Sequence, residues 1–337
     1  MVGQVGGVSV HKRPLLTLAP DYVLKPLQGD HRGVREAGFY EAIELASRSD
    51  GVHLYADMLE GKKSESTDIL DFLGMWFAIR LQDRVVTNCE QRIWNSWRTL
   101  KREVELLRRL QKFTASYYGI LGQVALNNVS PYGISEDAHL LLQDITIHFS
   151  KPCVMDLKLG SQTYEPSAPL EKQKREYSKY PLQSKFGFRI VGMRIYQPSD
   201  EMACENGFLF FSKEYGRALA TKDDLKRAFE TYFSAGVDGS SSAGVKASVR
   251  ARSISNIVTK LHKIQTWFRD NKSLCFCASS LLIAYEGDTQ SSSNPDVVNV
   301  KMIDFGRVRR HPGGDPGYTL GLETICALMV ELLKEVS

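Results

Sequence analysis

An aspartate and a lysine two positions apart, Asp156 and Lys158, lie in the apolar stretch K-P-C-V-M-D-L-K-L-G at residues 151–160. In an extended backbone these two side chains point to the same side, while Met155 and Leu157 point to the other. A carboxylate in this position can accept the proton of an attacking hydroxyl, and the ammonium can neutralise charge on a phosphoryl group in transfer. An isolated D-x-K also fits a half-buried strand with one surface ion pair. The stretch therefore predicts a strand suited to phosphoryl transfer.

A second carboxylate, Asp304, ends the apolar stretch V-V-N-V-K-M-I-D-F-G at residues 297–306. An Asp at the mouth of a strand, beside a glycine turn, is how kinases present a carboxylate to the magnesium ions that bridge nucleotide phosphates. The sequence contains neither a G-x-x-x-x-G-K-[ST] loop nor an H-R-D catalytic loop. A P-loop kinase and an ordinary protein kinase are therefore both disfavoured.

Several motifs together resemble the inositol polyphosphate kinase family, and the multikinase branch fits best. The motifs are P-C-V-M-D-L-K-L-G (152–160), S-K-Y-P (178–181), G-F-R-I-V-G-M-R-I-Y (187–196), S-S-L-L-I-A-Y-E-G (279–287) and I-D-F-G (303–306). The resemblance covers residues 23–43 and 117 to the C-terminus. It implies an α+β, two-lobed kinase-like fold with antiparallel sheets and a helical segment that binds inositol phosphates.

The resemblance also implies ATP and Mg²⁺ as cofactors and assigns residues to them. Lys25, in Y-V-L-K-P-L, matches the lysine that contacts nucleotide phosphates, and Glu36 matches the acid that holds this lysine in place. Asp304 matches the metal ligand. Gln143 and Asp144 match the hinge beside the adenine, where Asp144 would accept hydrogen bonds from the ribose. On the residues alone, a solvated strand lysine and polar caps of a strand end are the alternatives.

For the inositol phosphate, the resemblance makes Asp156 the general base and has Lys158 hold the substrate together with a basic helix, residues 166–180. The implied substrate contacts are Arg32, Lys172, Arg175, Lys179 and Arg307. The three cations of the helix share one face at i, i+3 and i+7, which also fits an ordinary solvated face. Arg175 stands where multikinases carry Gln and Arg307 where they carry His, so these two positions bear on substrate specificity more than on the reaction.

Composition limits the other possibilities. Apolar residues make up 43% of the 337-residue chain and charged residues 24%, with a net charge of +4, which describes an ordinary globular protein and suits a polyanionic substrate. Six cysteines without C-x-x-C pairing indicate reduced thiols, and the N-terminus does not resemble a signal peptide. We expect a cytoplasmic or nuclear monomer with no nucleic-acid partner and no stable membrane insertion, and contact with phosphoinositides is left open.

Two lobes are expected, residues 1–146 and 147–337, with the inositol-phosphate-binding helix at 166–180 in the second. Residues 50–113 depart from the family as an atypical insertion, and whether this segment is specific to a lineage or reflects an error in the gene model is left open. Within it, the spacing of apolar residues predicts an amphipathic helix over 98–112. The other expected elements are strands at 22–27, 116–121 and 274–286, a strand that runs into a connector over 139–149, and two short strands in 185–197. Helices are expected at 33–47, 254–271 and 319–336 and after a cap at Thr221, with a Gly/Ser/Ala-rich linker at 234–253.

The function implied by the resemblance is an ATP- and Mg²⁺-dependent kinase that transfers the γ-phosphate to hydroxyls of inositol polyphosphates, taking tris- and tetrakisphosphates to the pentakisphosphate. An inositol hexakisphosphate kinase that makes pyrophosphates shares the same signatures. A catalytically dead inositide-binding scaffold is the alternative of a different class. Such a relative is expected to lose Lys25, Asp156 or Asp304, and all three are present.

Overall fold

The computed structural model describes residues 16–19, 21–28, 31–60, 97–122, 138–198, 206–235, 243–288 and 297–336. It confirms the predicted α+β class with antiparallel sheets. The strands are β1 (Leu16–Ala19), β2 (Tyr22–Pro26), β3 (Tyr117–Leu121), β4 (His139–Gln143), β5 (Pro152–Leu159), β6 (Phe188–Tyr196), β7 (Phe208–Phe211), β8 (Leu274–Phe276), β9 (Ser280–Glu286), β10 (Val298–Ile303) and β11 (Val308–Arg310). The helices are α1 (His31–Ala46), α2 (Gly51–Glu60), α3 (Trp97–Leu110), α4 (Leu170–Ser178), α5 (Gln183–Phe186), α6 (Lys213–Ala218), α7 (Lys222–Tyr232), α8 (Ala243–Asp270) and α9 (Pro316–Val336).

The first lobe is a four-stranded antiparallel sheet in the order β1-β2-β4-β3, with α1 packed against it. Leu140 and Leu142, on β4, are buried, as the alternation of a half-buried strand requires. The ring of Tyr40 on α1 stacks on that of Tyr117 on β3, with 5.6 Å between the ring centroids. This packing holds α1 against the lobe that carries Lys25 on β2.

The second lobe is built on a five-stranded antiparallel sheet in the order β10-β9-β5-β6-β7, so β5 lies at its centre. Met155, Leu157 and Leu159 on β5 are fully buried, whereas Asp156 and Lys158 between them are half-buried. The predicted alternation of this strand is therefore confirmed. Because strands on both sides pair with β5, the positions of the two polar side chains are fixed by the sheet register.

Two contacts join helix α3 to the second lobe. The indole Nε1 of Trp267, on α8, donates to the carbonyl oxygen of Leu106 at 2.8 Å. Arg310, on β11, donates to both carboxylate oxygens of Glu103, from Nε at 3.2 Å and from Nη2 at 2.8 Å. Both partners of this bidentate ion pair are almost completely buried. Breaking a buried pair of this kind costs about 3–5 kcal/mol, because one charge is left uncompensated.

The structure corrects four sequence-based expectations. Helix α8 begins at Ala243, so the second half of the predicted linker at 234–253 is helical, and buried Val249 and Ser253 show that this part of α8 packs on the core. Residues 185–197 contain one strand, β6, after the short helix α5. Residues 274–286 form two strands, because Cys277–Ser279 make a turn between β8 and β9. Helix α4 begins at Leu170, after an N-cap at Pro169, rather than near Ser167.

The amphipathic helix expected over 98–112 is confirmed as α3 followed by a short 3-10 turn at Gln111–Phe113. The capped helix after Thr221 is also confirmed, with a complete capping box between Thr221 and Asp224. The apolar stretch at 69–81 lies outside the described residues. Within the described residues, no helix combines the length and apolar character that a membrane span requires.

Candidate active site

Three charged side chains from distant parts of the sequence meet between the lobes. The ammonium of Lys25, on β2, donates to Oε1 of Glu36, on α1, at 2.6 Å and to Oδ1 of Asp304, after β10, at 2.5 Å. Glu36 Oε1 also accepts the backbone N–H of Phe305 at 3.1 Å. The ion pair that the resemblance implies between Lys25 and Glu36 is therefore present, and it extends to Asp304 in the other lobe.

This arrangement keeps Lys25 positively charged. Burial acts to lower the pKa of its amine, but the carboxylates of Asp304 and Glu36 outweigh burial and raise the pKa well above its usual value. The same surroundings keep the neighbouring Tyr40 protonated, because burial and the charge of Glu36 raise the pKa of its phenol. Across neutral pH the group at the cleft is thus one ammonium between two carboxylates.

Asp304 has a backbone conformation that is unfavourable for a residue other than glycine. Its φ is +65°, a left-handed conformation that non-glycine residues adopt rarely and that clusters at functional sites. Phe305 is fully buried against the rings of Phe39 and Tyr40 on α1, and this packing holds the turn. The Asp304 side chain remains 37% exposed, so its carboxylate is accessible to solvent and is not enclosed in the core.

Arg32, at the start of α1, lies against the same turn. A Cβ atom added at Gly306 would come within 3.0 Å of the Arg32 carbonyl oxygen and 3.1 Å of its Cβ. Glycine therefore allows α1 to approach the chain just after Asp304. The approach places Arg32, which is half-buried, beside the Asp304 turn, and its contact with the substrate stays a prediction.

The sheet register brings Asp156 and Lys158 towards the end of the sheet that carries Asp304. Lys158 pairs with Ser280 of β9, and Ser280 pairs with Ile303 of β10, the residue before Asp304. Neighbouring strands are about 4.8 Å apart, so two strand spacings separate β5 from β10. The Ser279 carbonyl accepts Leu159 N–H at 3.0 Å and the Ser279 hydroxyl donates to the Asp304 carbonyl at 2.8 Å, which fixes this end.

The Lys158 ammonium donates to the carbonyl oxygen of Ala278 at 2.8 Å. Ala278 has a φ of +57°, so within the described residues both non-glycine positions with positive φ, Ala278 and Asp304, lie at this end of the sheet. The turn between β8 and β9 thus orients the lysine. Its position beside the turn of Asp304 is consistent with the predicted contact to a phosphate.

Sequence reasoning missed two buried polar residues behind β5. Arg189, on β6 opposite Lys158, is 8% exposed and its Nη1 donates to Gln183 Oε1 at 2.5 Å. The Gln183 amide donates in turn to the carbonyl oxygens of Lys158 at 3.1 Å and Gly160 at 2.9 Å. Arg189 stands in the quoted G-F-R-I-V-G motif and Gln183 two residues after S-K-Y-P, so both were visible next to family motifs.

Helix α4 carries the predicted substrate-binding cations on its surface. Lys172 is half-buried and Arg175 is exposed, whereas the Lys179 ammonium donates to Glu176 Oε1 at 2.5 Å. Arg307, after the Asp304 turn, donates from Nη1 to the carbonyl oxygen of Thr163 at 3.0 Å. The chain between β5 and α4 therefore anchors this arginine to the second lobe.

The two predicted hinge residues, Gln143 and Asp144, differ in burial and in hydrogen bonding. The Gln143 side chain accepts from the Ser116 hydroxyl at 3.3 Å and is half-buried. Asp144 is 6% exposed, and its Oδ1 accepts from the N–H of Thr146 at 2.8 Å and from the Thr146 hydroxyl at 2.7 Å. This geometry is the polar cap of a strand end, the alternative weighed for Asp144, and the ribose contact stays a prediction.

Two further carboxylates, also missed by sequence reasoning, fix the frame of the site. Glu165, after β5, accepts from Arg35 Nη1 on α1 at 2.5 Å in a second, buried contact between the lobes. Glu286, of the Y-E-G motif, is fully buried and accepts the backbone N–H groups of Ser150 at 2.7 Å and Lys151 at 3.0 Å. Glu286 therefore anchors the beginning of β5 and explains this motif structurally.

The donor set at the cleft fits a nucleotide-bound magnesium ion. Across the described part of the chain, no three His, Cys, Asp or Glu side chains cluster as a metal-binding group. Mg²⁺ is usually held by one or two carboxylates together with substrate phosphates and waters, rather than by an all-protein cage. The accessible carboxylate of Asp304 meets this requirement, and Lys25 beside it can pair with phosphate oxygens.

The fold and the site together define a two-lobed α+β protein with a kinase-like cleft. The family model described as "Inositol polyphosphate kinase" matches residues 139–330, more than half of the sequence. The chain therefore belongs to the inositol polyphosphate kinase family.

Two groups of curated relatives match the chain, inositol polyphosphate multikinases and inositol hexakisphosphate kinases. Inositol polyphosphate multikinase of Homo sapiens is 36% identical over 189 residues, which cover 56% of this chain and 39% of the human protein. Inositol hexakisphosphate kinase 3 of Mus musculus is 29% identical over 215 residues, covering 57% of this chain and 50% of the mouse protein. The chain thus matches half or less of the length of these relatives.

A solved structure supports the fold independently. The crystal structure of inositol phosphate multikinase Ipk2 from S. cerevisiae, in complex with ADP and Mn²⁺, superposes with a TM-score of 0.52. The match has 23% sequence identity and covers 66% of this chain and 90% of the yeast chain. The two proteins therefore share the two-lobed architecture.

Proposed function

We propose that the chain is a kinase that uses ATP and a divalent cation to phosphorylate hydroxyl groups of inositol polyphosphates. The observation that carries the proposal is the contact of Lys25 with both Glu36 and Asp304, since it joins a phosphate-binding cation to a metal-binding carboxylate across the lobes. Residues 25 and 304 are 279 positions apart, so the contact is a product of the fold and not of local sequence.

In the proposed reaction, Asp156 accepts the proton of the substrate hydroxyl. The hydroxyl oxygen then bonds to the γ-phosphorus, and the bond from that phosphorus to the β–γ bridging oxygen breaks, so that ADP leaves. Lys158 neutralises charge on the phosphoryl group in transfer, and its hydrogen bond to Ala278 keeps the ammonium beside the cleft. General-base catalysis of this kind contributes about 10²–10⁴-fold to the rate.

The nucleotide side rests on residues of both lobes. Lys25 would pair with phosphate oxygens and Asp304 would ligate the divalent cation, which when bound neutralises the phosphate charge. Glu36 would keep both groups in place through its bonds to the Lys25 ammonium and the Phe305 N–H. Backbone groups near Gln143 would contact the adenine, and Asp144 would reach the ribose if its side chain releases Thr146.

For the acceptor, we propose an inositol tris- or tetrakisphosphate, as in a multikinase. The names of the multikinase relatives support this choice, as does the fit of S-K-Y-P to the multikinase branch. Arg32, Lys172, Arg175, Lys179 and Arg307 would hold its phosphates. Several cations are needed, because each phosphate brings more than one negative charge and repels the others.

The test is incubation of the purified chain with γ-labelled ATP, Mg²⁺ and separate inositol tris-, tetrakis-, pentakis- and hexakisphosphates, followed by chromatography of the products. Label in a tetrakis- or pentakisphosphate supports the multikinase assignment. Label only in a pyrophosphate made from the hexakisphosphate supports a hexakisphosphate kinase. Binding without transfer to any of the four contradicts the enzyme and supports an inositide-binding scaffold. The choice of Mg²⁺, the monomeric state and the cytoplasmic or nuclear location stay predictions.

A further inference from the structure

A carboxylate, Glu176 of helix α4, stands among the cations of the proposed substrate site. Its Oε1 accepts from the Lys179 ammonium at 2.5 Å, and only 11% of its side chain is exposed, against 33% for Lys179. An acidic residue that is more buried than the lysine it binds is not an ordinary feature of a solvated helix face. Glu176 therefore points inward, to where the helix meets the rest of the lobe.

Two further cations act on the same carboxylate from other elements. Arg189, on β6, and Arg307, after Asp304, lie near enough to act on its charge, while they donate their own hydrogen bonds to Gln183 and Thr163. Burial acts to raise the pKa of Glu176, but Lys179, Arg307 and Arg189 together lower it, so the group is ionised at neutral pH. Arg189 also lies within electrostatic reach of Asp156. The carboxylate thus sits where cations of α4, β6 and the Asp304 turn converge, close to the predicted general base.

A second acidic residue of α4, Glu171, differs from Glu176 in its exposure. Glu171 is 86% exposed and lies 3.6 Å from the Lys174 ammonium, which is 65% exposed. This is a solvated pair between neighbouring helical turns, of a kind that contributes little to stability. Glu171 and Glu176 share a helix and a charge but differ in what surrounds them, which makes Glu171 a matched control.

A phosphate group that enters this part of the site must compete with the Glu176 carboxylate for the same cations. It is also repelled by that carboxylate, and the repulsion grows with the number of phosphates on the ligand. On the basis of the proposed function, we propose that Glu176 is a specificity-determining residue: its negative charge binds Lys179, offsets the nearby charges of Arg189 and Arg307, and disfavours the most highly phosphorylated inositols.

The experiment compares the intact chain with Glu176→Gln and Glu171→Gln. Dissociation constants for inositol tris-, pentakis- and hexakisphosphate are measured by calorimetry with Mg²⁺ and a non-hydrolysable ATP analogue present. Glutamine keeps the shape and can still accept from Lys179, so the change removes charge alone. We expect Glu176→Gln to tighten hexakisphosphate binding about three- to fiftyfold, the range that one Coulomb interaction at roughly 7 Å gives between the dielectric constant of water and that near a protein surface.

The trisphosphate is expected to gain less, so the preference of the variant shifts towards the hexakisphosphate. Glu171→Gln is expected to change each constant by less than about twofold. Glu176→Ala, with thermal unfolding as a check on folding, should shift the preference in the same direction as glutamine.

Three outcomes overturn the inference while leaving the proposed function intact: unchanged relative affinities, an equal shift in Glu171→Gln, or weaker binding of every ligand. Weaker binding throughout would mean that Glu176 positions Lys179 for the substrate instead of competing with it. If the unaltered chain binds none of the three inositol phosphates, the proposed function falls, and the inference with it.

Discussion

The cleft and helix α4 both pair lysine with carboxylate, but they do so in different ways. In the cleft, Lys25 is held by Glu36 and Asp304, which lie 11 and 279 residues away in the sequence, and the Glu36 side chain is 2% exposed. On α4, Lys179 is held by Glu176 three residues before it, within one turn of helix. The contact between the residues of the first pairing depends on the whole fold, whereas helical spacing is enough to bring the residues of the second together.

The difference has an energetic side. Local i,i+3 pairs on a helix contribute a few tenths of a kcal/mol, whereas breaking a buried pair leaves a charge whose desolvation is not compensated. Substitutions in the cleft should therefore disturb stability and chemistry together. Substitutions on α4 should change substrate binding and leave the fold almost unaffected.

Asp156→Asn should give the largest effect, because Asp156 takes the proton in the proposed reaction. We expect kcat to fall about 10²–10⁴-fold with little change in thermal stability, since asparagine has the same shape and Asp156 is not a member of the Lys25–Glu36–Asp304 group. Steady-state kinetics with Asp223→Asn, an exposed position on α7, as the control checks this. Turnover near that of the unaltered chain would remove Asp156 from the role of general base.

Glu36→Gln should come next. The amide can still accept the Phe305 N–H, but Lys25 loses one of its two counter-charges, so its hold beside Asp304 weakens. Loss of a group that orients a metal-binding residue typically costs 10–100-fold, and we expect kcat/KM for ATP to fall by about that factor. Glu44→Gln on the same helix is the control. A change in KM for the inositol phosphate alone would contradict the assignment of Glu36 to the nucleotide side.

Lys172→Gln should have a smaller effect, confined to the substrate. One partly exposed cation on a phosphate contributes up to about 1 kcal/mol, so KM for the inositol phosphate should rise about two- to fivefold while KM for ATP stays constant. Lys174→Gln, which removes a cation already paired with Glu171, is the control. Equal effects of the two variants would mean that the helix acts by net charge and not through a defined face.

The smallest expected effect concerns Lys301, a cation that lies outside both the cleft and helix α4. Lys301, on β10, donates to the carbonyl oxygens of Lys112 at 3.0 Å and Thr114 at 2.8 Å, and so ties the second lobe to the chain after α3. Burial lowers the pKa of Lys301 to about 8, and the charge of Lys260 adds to this lowering. Between that pKa and the usual value of 10.5, the unfolded chain binds a proton that the folded chain does not.

Through this group, therefore, the unfolding free energy should rise with pH from about 8 to 10.5. For one proton the slope is at most about 1.4 kcal/mol per pH unit. Urea unfolding at pH 7.5 and 9.5 should show the unaltered chain gaining stability relative to Lys301→Met, with Lys334→Met, an exposed lysine, as the control. A difference between the chain and Lys301→Met that does not change with pH would contradict the lowered pKa.

The same comparison explains what could be predicted from the sequence. The alternation of β5 and the periodicity of α3 are local, and both predictions are confirmed. The first half of α8 was predicted as a linker from its Gly, Ser and Ala content, but burial of Val249 and Ser253 overrode that weak local preference.

The contacts that the sequence could not supply are those between distant segments. The Arg35–Glu165 and Arg310–Glu103 pairs, and the bonds of Gln183 to β5, join residues that are not related by any helical or strand spacing. Motif positions identified Lys25, Glu36 and Asp304 as candidates, but only the fold brings them within hydrogen-bond distance. Family motifs thus predicted the members of the cleft and not the frame that holds it.

The buried Arg310–Glu103 pair affects how the fold tolerates a change in the length of the segment between α2 and α3. Tyr55 on α2 hydrogen-bonds to both Glu103 and Arg310, so α2 and α3 contact the second lobe at the same point. The segment between α2 and α3 therefore joins two helices that are both held in place. Lengthening such a segment costs little additional loop-closure entropy. We therefore expect a change in the length of that segment to leave the contacts among Lys25, Glu36 and Asp304 unchanged.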